Sequence, residues 1–189
     1  VQALVRDNLL FGAQLLEGMR AAHVTRFVNI GSAWQHYRNA EYAPTSLYAA
    51  TKQGFEALLT YFVEADGVRA VTLQFTDTYG AGDTRRKLIP FMLAAEREGT
   101  TMAMVPASVP IDLVHVSDAV AAIRVAAGRT AGATVAGHEI FAVRSGSGMD
   151  LQGLFARWAE ARGRAIPVEW GVRAVRAPQP TGRRAPADP

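Results

Sequence analysis

The sequence predicts an α/β fold with a doubly wound parallel sheet, and three observations predict it. Segments with apolar residues at helical spacing alternate along the chain with short apolar runs that end in loop-forming residues. Successive strand-like runs are separated by ten or more helical residues, which suits crossover helices between parallel strands and not hairpins. A hydrophobic content of 49% with 20% charged residues in 189 fits a domain that buries its own core, so disorder is not the default.

The elements follow in order. "VQALVRDNLLFGAQLLEGMRAAHV" puts Leu9, Leu15, Leu16 and Met19 on much of one face and predicts a long helix. "RFVNIGS" is a buried strand feeding a loop. Pro44 is expected to open a helix in which Phe55, Leu58, Leu59 and Phe62 recur at helical spacing, with "ADG" closing it. "VRAVTLQF" alternates, with Val71, Leu73 and Phe75 on one side, and reads as a strand. The Gly-rich loop "DTYGAGDTRR" leads to a helix through "KLIPFMLAAEREG", which Pro90 must enter within its first turns, and then to a short strand at "MAMV". "IDLVHV" is a strand, "SDAVAAIRVAA" a helix capped by Ser117 or Asp118, and "HEIFAVRS" a strand. "MDLQGLFARWAEARG" is the last helix, with "IPVEW" beyond it. The Gly146 and Gly148 turn in "SGSGMD" is expected to cap that helix. Residues 172–189, rich in Pro and Arg without a period, read as a disordered tail.

Several function classes are excluded. The chain has no cysteine, so a disulfide framework and a thiolate metal site are both out. His23, His36, His115 and His138 lie far apart without ligand spacing, and no metal is expected. No apolar run reaches the roughly 18 residues of a membrane span, and no segment resembles a signal peptide, which predicts a cytoplasmic protein with no membrane partner. The net charge is only +3, and the arginines behind a pI of about 9.6 are spread along the chain, so no nucleic-acid partner is expected.

Two constellations carry chemistry. Tyr48 and Lys52 are one helical turn apart and share a face. An ammonium beside a phenol favours the phenolate and brings the tyrosine down from about 10 toward a usable acid or base. Ser32 ends a strand, where open α/β sheets bind ligands, and its hydroxyl can bond a carbonyl oxygen. Together the three could protonate an oxygen as hydride arrives at its carbon. In "TDTYGAGDTRRK", Asp83 or Thr84 is expected to cap the next helix. Arg85, Arg86 and Lys87 would then stand in its first turn, against the helix dipole. An anionic ligand, a phosphate or diphosphate, would relieve that conflict.

These residues resemble the extended short-chain dehydrogenase/reductase family, the NAD-dependent epimerases, dehydratases and 4-ketoreductases of nucleotide sugars. The likeness runs from the first helix to about residue 171. "NLLFGAQLLEGMRAAHVTRFVNIGS" is similar to the family's asparagine-to-glycine helix and serine strand. "YAATK" matches its YxxxK, "LQFTDTYGAGD" its strand and "YGPGD" loop, and "IDLVHVSDAVAAI" its "DFVHVDDVA" segment. The resemblance implies a Rossmann-like sheet, with NAD or NADP as cofactor and a nucleotide sugar as substrate. In it Tyr48 would be the general acid/base, Lys52 would bind the nicotinamide ribose, and Ser32 would hold the substrate oxygen. Asn8 would support the active-site water and lysine, Thr78 would touch the cofactor, and Asp77 would contact substrate with Arg85, Arg86 and Lys87. A homodimer through the helices carrying Asn8 and Tyr48 is also implied.

Departures sharpen the expectation. Dehydratases of the family carry an Asp-Glu pair after the serine; Ala33 and Trp34 stand here, so no acid is ready for the leaving group. Ile111 replaces the arginine that many epimerases place before the "DFVHV" aspartate. The nearest likeness is to 4-ketoreductases of deoxysugar pathways, of the abequose-synthase type. The glycine turn that receives the cofactor pyrophosphate would lie about 70 to 80 residues upstream. With Val1 in first place, the expectation is an amino-terminally truncated chain whose sheet lacks its first strands.

The expected domains are residues 1–82 as the second half of the dinucleotide-binding domain, 83–110 with 145–171 as a small substrate-binding subdomain, and 111–144 as the return to the sheet. The expected activity is an NAD(P)-dependent oxidoreductase on a nucleotide-linked keto-deoxysugar. A nucleotide-sugar epimerase and a binding protein without turnover are the alternatives.

Overall fold

The computed structural model describes residues 1–36, 40–132 and 135–175. The expected disordered tail therefore lies, from residue 176 on, outside the described residues. The chain opens with α1 (Gln2–Val5), a π-helical segment (Arg6–Leu10) and α2 (Phe11–Ala21), one continuous run. There follow β1 (Arg26–Ser32), a 3-10 turn (Ala33–Gln35), α3 (Leu47–Asp66), β2 (Arg69–Phe75), β3 (Asp77–Tyr79) and α4 (Leu88–Glu98). Then come β4 (Met102–Ala103), β5 (Pro110–Ile111), β6 (Leu113–His115), α5 (Val116–Ala131), β7 (His138–Val143), β8 (Met149–Asp150), α6 (Leu151–Arg162) and β9 (Val168–Glu169).

β1, β2 and β7 form a parallel sheet with β2 in the centre. All of β2 beyond Arg69 is buried, so the expected one-sided alternation is a two-sided burial. Ala70 joins Leu16, Met19, Phe55, Leu59 and Phe62 on the face covered by α2 and α3. Val71, Leu73 and Phe75 point the other way, into a cluster with Ala119 and Ala126 of α5. Helices thus cover both faces of a parallel sheet, the doubly wound arrangement the sequence predicts. A third cluster joins Met92 and Ala95 of α4, Met104, Ile166 and Leu151, Leu154 and Phe155 of α6. The short pairs β4 with β9 (parallel) and β5 with β8 (antiparallel) border it.

Several boundaries differ from expectation for local reasons. The first helix ends at Ala21, because His23 takes left-handed backbone (φ 53) and the Val24 amide donates back to the Met19 carbonyl. Leu15 leaves the buried face at 43% exposure, as Leu58 does in α3. α3 starts not at Pro44 but after Ser46, whose hydroxyl accepts from the Ala49 amide. Gly67, left-handed at φ 66, closes it where "ADG" predicts. "IDLVHV" is two strands, since Asp112 between them leaves the ladder to accept from the Ser145 amide and from Arg144. His115, and neither Ser117 nor Asp118, caps α5 by accepting from the Ser117 amide. Asp150 caps α6 through the Gly153 amide, which leaves the Gly146 turn to join β7 to β8.

The packing of α2 on α3 depends on Gly12, where a Cβ would stand 2.3 Å from the Phe55 ring. Gly12→Ala is expected to destabilise the fold by about 1–3 kcal/mol through overpacking. Gly18→Ala, on the same helix with nothing within 4 Å, should stabilise it by about 0.5–1 kcal/mol. Thermal denaturation of the two variants checks this, and a stabilised Gly12→Ala would show that the helices do not meet there.

Candidate active site

The end of β1, the start of α3 and the segment after β2 border an open cavity of about 730 Å³. The strand register makes this possible: Ser32 lies beside Phe75, so both strands release the chain at one level. Ser32, Tyr48, Asp77, Thr78, Arg85 and Lys87 all line it. Of the other expected site residues, Asn8, Lys52 and Arg86 are not among its lining residues.

Ser32 is 5% exposed and opens the 3-10 turn, its hydroxyl accepting from the Trp34 amide at 3.3 Å. Its own amide donates to Gln35 Oε1 at 2.7 Å, which closes a capping box. Tyr48, in the first turn of α3, is 43% exposed. Lys52 reaches back from the next turn and donates to the Ile30 carbonyl at 3.1 Å, its Nζ 6.0 Å from the Tyr48 ring centre. Burial holds the Lys52 ammonium below its ordinary value, since desolvation disfavours the charged form. Asn8, in the π-helical segment, donates to the Thr51 hydroxyl at 2.9 Å, and Thr51 in turn donates to the Tyr48 carbonyl. Asn8 therefore ties the first helix to the turn of α3 that carries Tyr48.

The loop of cations differs from expectation. Lys87 is the residue before α4, so Arg85 and Arg86 precede the helix instead of filling its first turn. Neither Asp83 nor Thr84 caps it. Asp83 is spent on Arg85, accepting from its backbone amide and from Nε and Nη2 at 2.8–3.1 Å. Arg85 also donates to the Thr78 carbonyl and hydroxyl, and Lys87 pairs with Asp77 at 2.9 Å. Two of the three expected anion contacts thus already carry a carboxylate. Arg86 is exposed and has no ion pair among the described residues. α4 begins with neither a side-chain cap nor an acidic residue in its first turn.

Other residues of the site escape a linear reading. Trp34, Thr45, Ser46, Ala119 and Ile123 also line the walls, as does Thr76, whose buried hydroxyl has no partner among the described residues. Behind Ser32, Gln35 donates to Glu56 at 3.2 Å, and Gln74 stands 2.6 Å from His36 Nε2. The available signals were Glu56 inside the apolar stripe of Phe55, Leu59 and Phe62, and Gln74 inside "VTLQF". Chemically, the cavity brings a serine hydroxyl and a phenol into one lining, with an ammonium behind the phenol and an apolar wall from α5.

The chain matches the model of the NAD dependent epimerase/dehydratase family over residues 2–138. It is 28% identical to UDP-glucose 4-epimerase of Corynebacterium glutamicum over 191 aligned positions, 88% of this chain and 57% of that protein. With CDP-abequose synthase of Yersinia pseudotuberculosis it shares 26% identity over 121 positions, 64% of this chain and 42% of that one. Among solved structures, UDP-glucose 4-epimerase from Brucella ovis in complex with NAD superposes with a TM-score of 0.80 at 21% identity, covering 92% of this chain and 61% of that one. The chain thus spans about half the length of the curated relatives it matches.

The Asp83 and Arg85 contact gives a pH prediction. Hydrogen bonds from Arg85 hold the Asp83 carboxyl down at about 2, against 3.8 unperturbed. A depressed carboxylate contributes its stabilisation above 3.8 and loses it as pH falls toward 2. Carbon NMR of the Asp83 side chain should therefore give a midpoint near 2. Arg85→Gln should return it toward 3.8, and a wild-type midpoint already there would mean that the pair does not form in solution.

Proposed function

The chain belongs to the NAD dependent epimerase/dehydratase family, and on that premise we propose that it acts as an NAD(P)-dependent oxidoreductase on a nucleotide-linked keto-deoxysugar. The observation that supports this most is the convergence of Ser32 and Tyr48 on one cavity, with Lys52 held behind Tyr48 by the Ile30 carbonyl.

The residues present fit the nicotinamide and ribose end of the cofactor. Lys52 spends one proton on Ile30 and has others for a ribose diol. The unpartnered Thr76 hydroxyl lines the same space, and Ala119 and Ile123 offer a flat apolar wall. A nicotinamide bound there supplies the hydride. Ser32 donates a hydrogen bond from its hydroxyl to the substrate carbonyl oxygen, keeping its own proton, and so fixes that oxygen. Tyr48 gives that oxygen its phenolic proton, becomes a phenolate stabilised by the Lys52 ammonium, and regains a proton from solvent at its exposed edge. Asn8, through Thr51, holds the turn of α3 from which Tyr48 projects. Thr78 and Asp77 face the same cavity and would contact cofactor and substrate.

For the nucleotide diphosphate, Arg85 and Lys87 line the cavity and must exchange a carboxylate for a phosphate, while Arg86 lies outside that lining and would have to swing in. Trp34 lines the cavity where a dehydratase would need an acid, which supports reduction or epimerisation over dehydration. A nucleotide-sugar epimerase is the second candidate, favoured by the C. glutamicum relative that matches most of the chain. A homodimer is part of the proposal, supported by exposed Leu10, Phe11, Leu58 and Tyr61 on the helices that carry Asn8 and Tyr48. A cytoplasmic location belongs to it as well. Among the described residues no helix is long and apolar enough to cross a membrane.

Calorimetric titration with NADH and NADPH tests the cofactor site first: binding by either supports it, and no binding by folded protein favours the non-catalytic alternative. Tyr48→Phe should lower turnover of a nucleotide keto-sugar by about 10²-fold or more with cofactor affinity unchanged. Full turnover in that variant would overturn the proton-transfer role. Loss of one reduced nicotinamide per product marks a reductase, and product without net loss marks an epimerase.

A further inference from the structure

Behind the cavity lies a buried polar chain that the proposed chemistry does not use. Gln35 is 0% exposed, Ser32 5%, Glu56 6% and Gln74 7%. Glu56 Oε2 accepts from Gln35 Nε2 at 3.2 Å and more weakly from Gln74 Nε2 at 3.5 Å. No cation pairs with Glu56 among the described residues. A carboxylate buried among neutral amides is costly, and an apolar residue of equal volume would pack there more cheaply.

The return for that cost is direction. Glu56 Oε2 is the acceptor for both amides, so Gln35 turns its NH₂ toward Glu56 and its carbonyl toward the Ser32 amide, 2.7 Å away. The second amide obeys the same constraint. Gln74 points its NH₂ at Glu56 and at His36 Nε2, while His36 Nδ1 lies 3.2 Å from the Ala40 carbonyl, which fits a proton on Nδ1. The space for both amides comes from Gly31, where a Cβ would fall 3.0 Å from Gln35 Oε1 and 3.2 Å from Gln74 Cγ. With its amide held by Gln35 and its hydroxyl oxygen accepting from Trp34, Ser32 lines the cavity with its hydroxyl proton still available to donate.

We propose that Glu56 is a positioning residue that, through the enforced orientation of Gln35, holds Ser32 with its hydroxyl proton directed at the substrate oxygen. What Ser32 does with that proton rests on the function proposed above; the positioning itself does not.

The test is a double-mutant cycle on the whole protein, combining Glu56→Leu with Ser32→Ala, read alongside hydrogen exchange of the Ser32 amide. Glu56→Leu should lower kcat about tenfold with cofactor affinity unchanged, the scale of one misdirected hydrogen bond. In the Ser32→Ala background the same change should have almost no further effect. Additive losses would make Glu56 merely structural and overturn the proposal. The Ser32 amide should exchange faster in both Glu56→Leu and Gln35→Ala; unchanged exchange in Glu56→Leu overturns the positioning whatever the kinetics. If Ser32→Ala keeps full turnover, the function assigned to Ser32 fails, and the exchange result alone decides the role of Glu56. Glu56→Gln, which keeps the shape but lets either amide face Gln35, should be intermediate on both readouts, and it replaces Glu56→Leu if that variant does not fold.

Discussion

Parallel pairing of β1 with β2 over seven residues each, in strict register, is the constraint on which the site depends. It ends the two strands together, so that Ser32 and the turn after it face Thr76, Asp77 and Thr78 across one opening. The Ile30 carbonyl of β1 accepts from the Lys52 ammonium at 3.1 Å, which holds it 6.0 Å from the centre of the Tyr48 ring.

The electrostatics of the cavity are less cationic than its sequence. Arg85 and Lys87 each hold a carboxylate, and Asp83 is depressed because Arg85 bonds it from both backbone and side chain. Each pairs a half-exposed cation with a more sheltered carboxylate. Their role without ligand is then to keep the loop between β3 and α4 in one shape. Asp83 closes its turn, and Lys87 fastens the start of α4 to Asp77.

Much of this was legible in the sequence, and what was not has a common cause. The apolar periods of "VTLQF" and of Phe55, Leu59 and Phe62 located strand and helix because burial imposes those periods directly. Ser32 and Tyr48 were legible because each stands beside an element end, where α/β sheets open. Caps were misread where a polar side chain had a competing partner. Asp83 chose Arg85 over the helix, Asp112 chose Ser145 and Arg144 over the ladder, and His115 took the cap expected of Ser117. Sequence spacing cannot rank such competitors. Glu56 and Gln74 stood out as polar residues in apolar runs, but their meeting with Gln35 was not legible: the three come from a turn, a helix and a strand, and only the packing of α3 against β1 brings them together.

That packing makes α3 the reference body of the site. Over about two turns it presents Tyr48 to the cavity, Thr51 to Asn8, Lys52 to Ile30 and Glu56 to Gln35. Each polar contact holds a different element, so no one of them can shift without loading the others. The apolar side of the same helix, Phe55, Leu59 and Phe62, seats it against α2 and β2 at the level where Gly12 admits the Phe55 ring. A rotation of α3 would move the phenol, the ammonium and the anchor of Ser32 together. Their mutual geometry is therefore set by packing density and not by the hydrogen bonds alone.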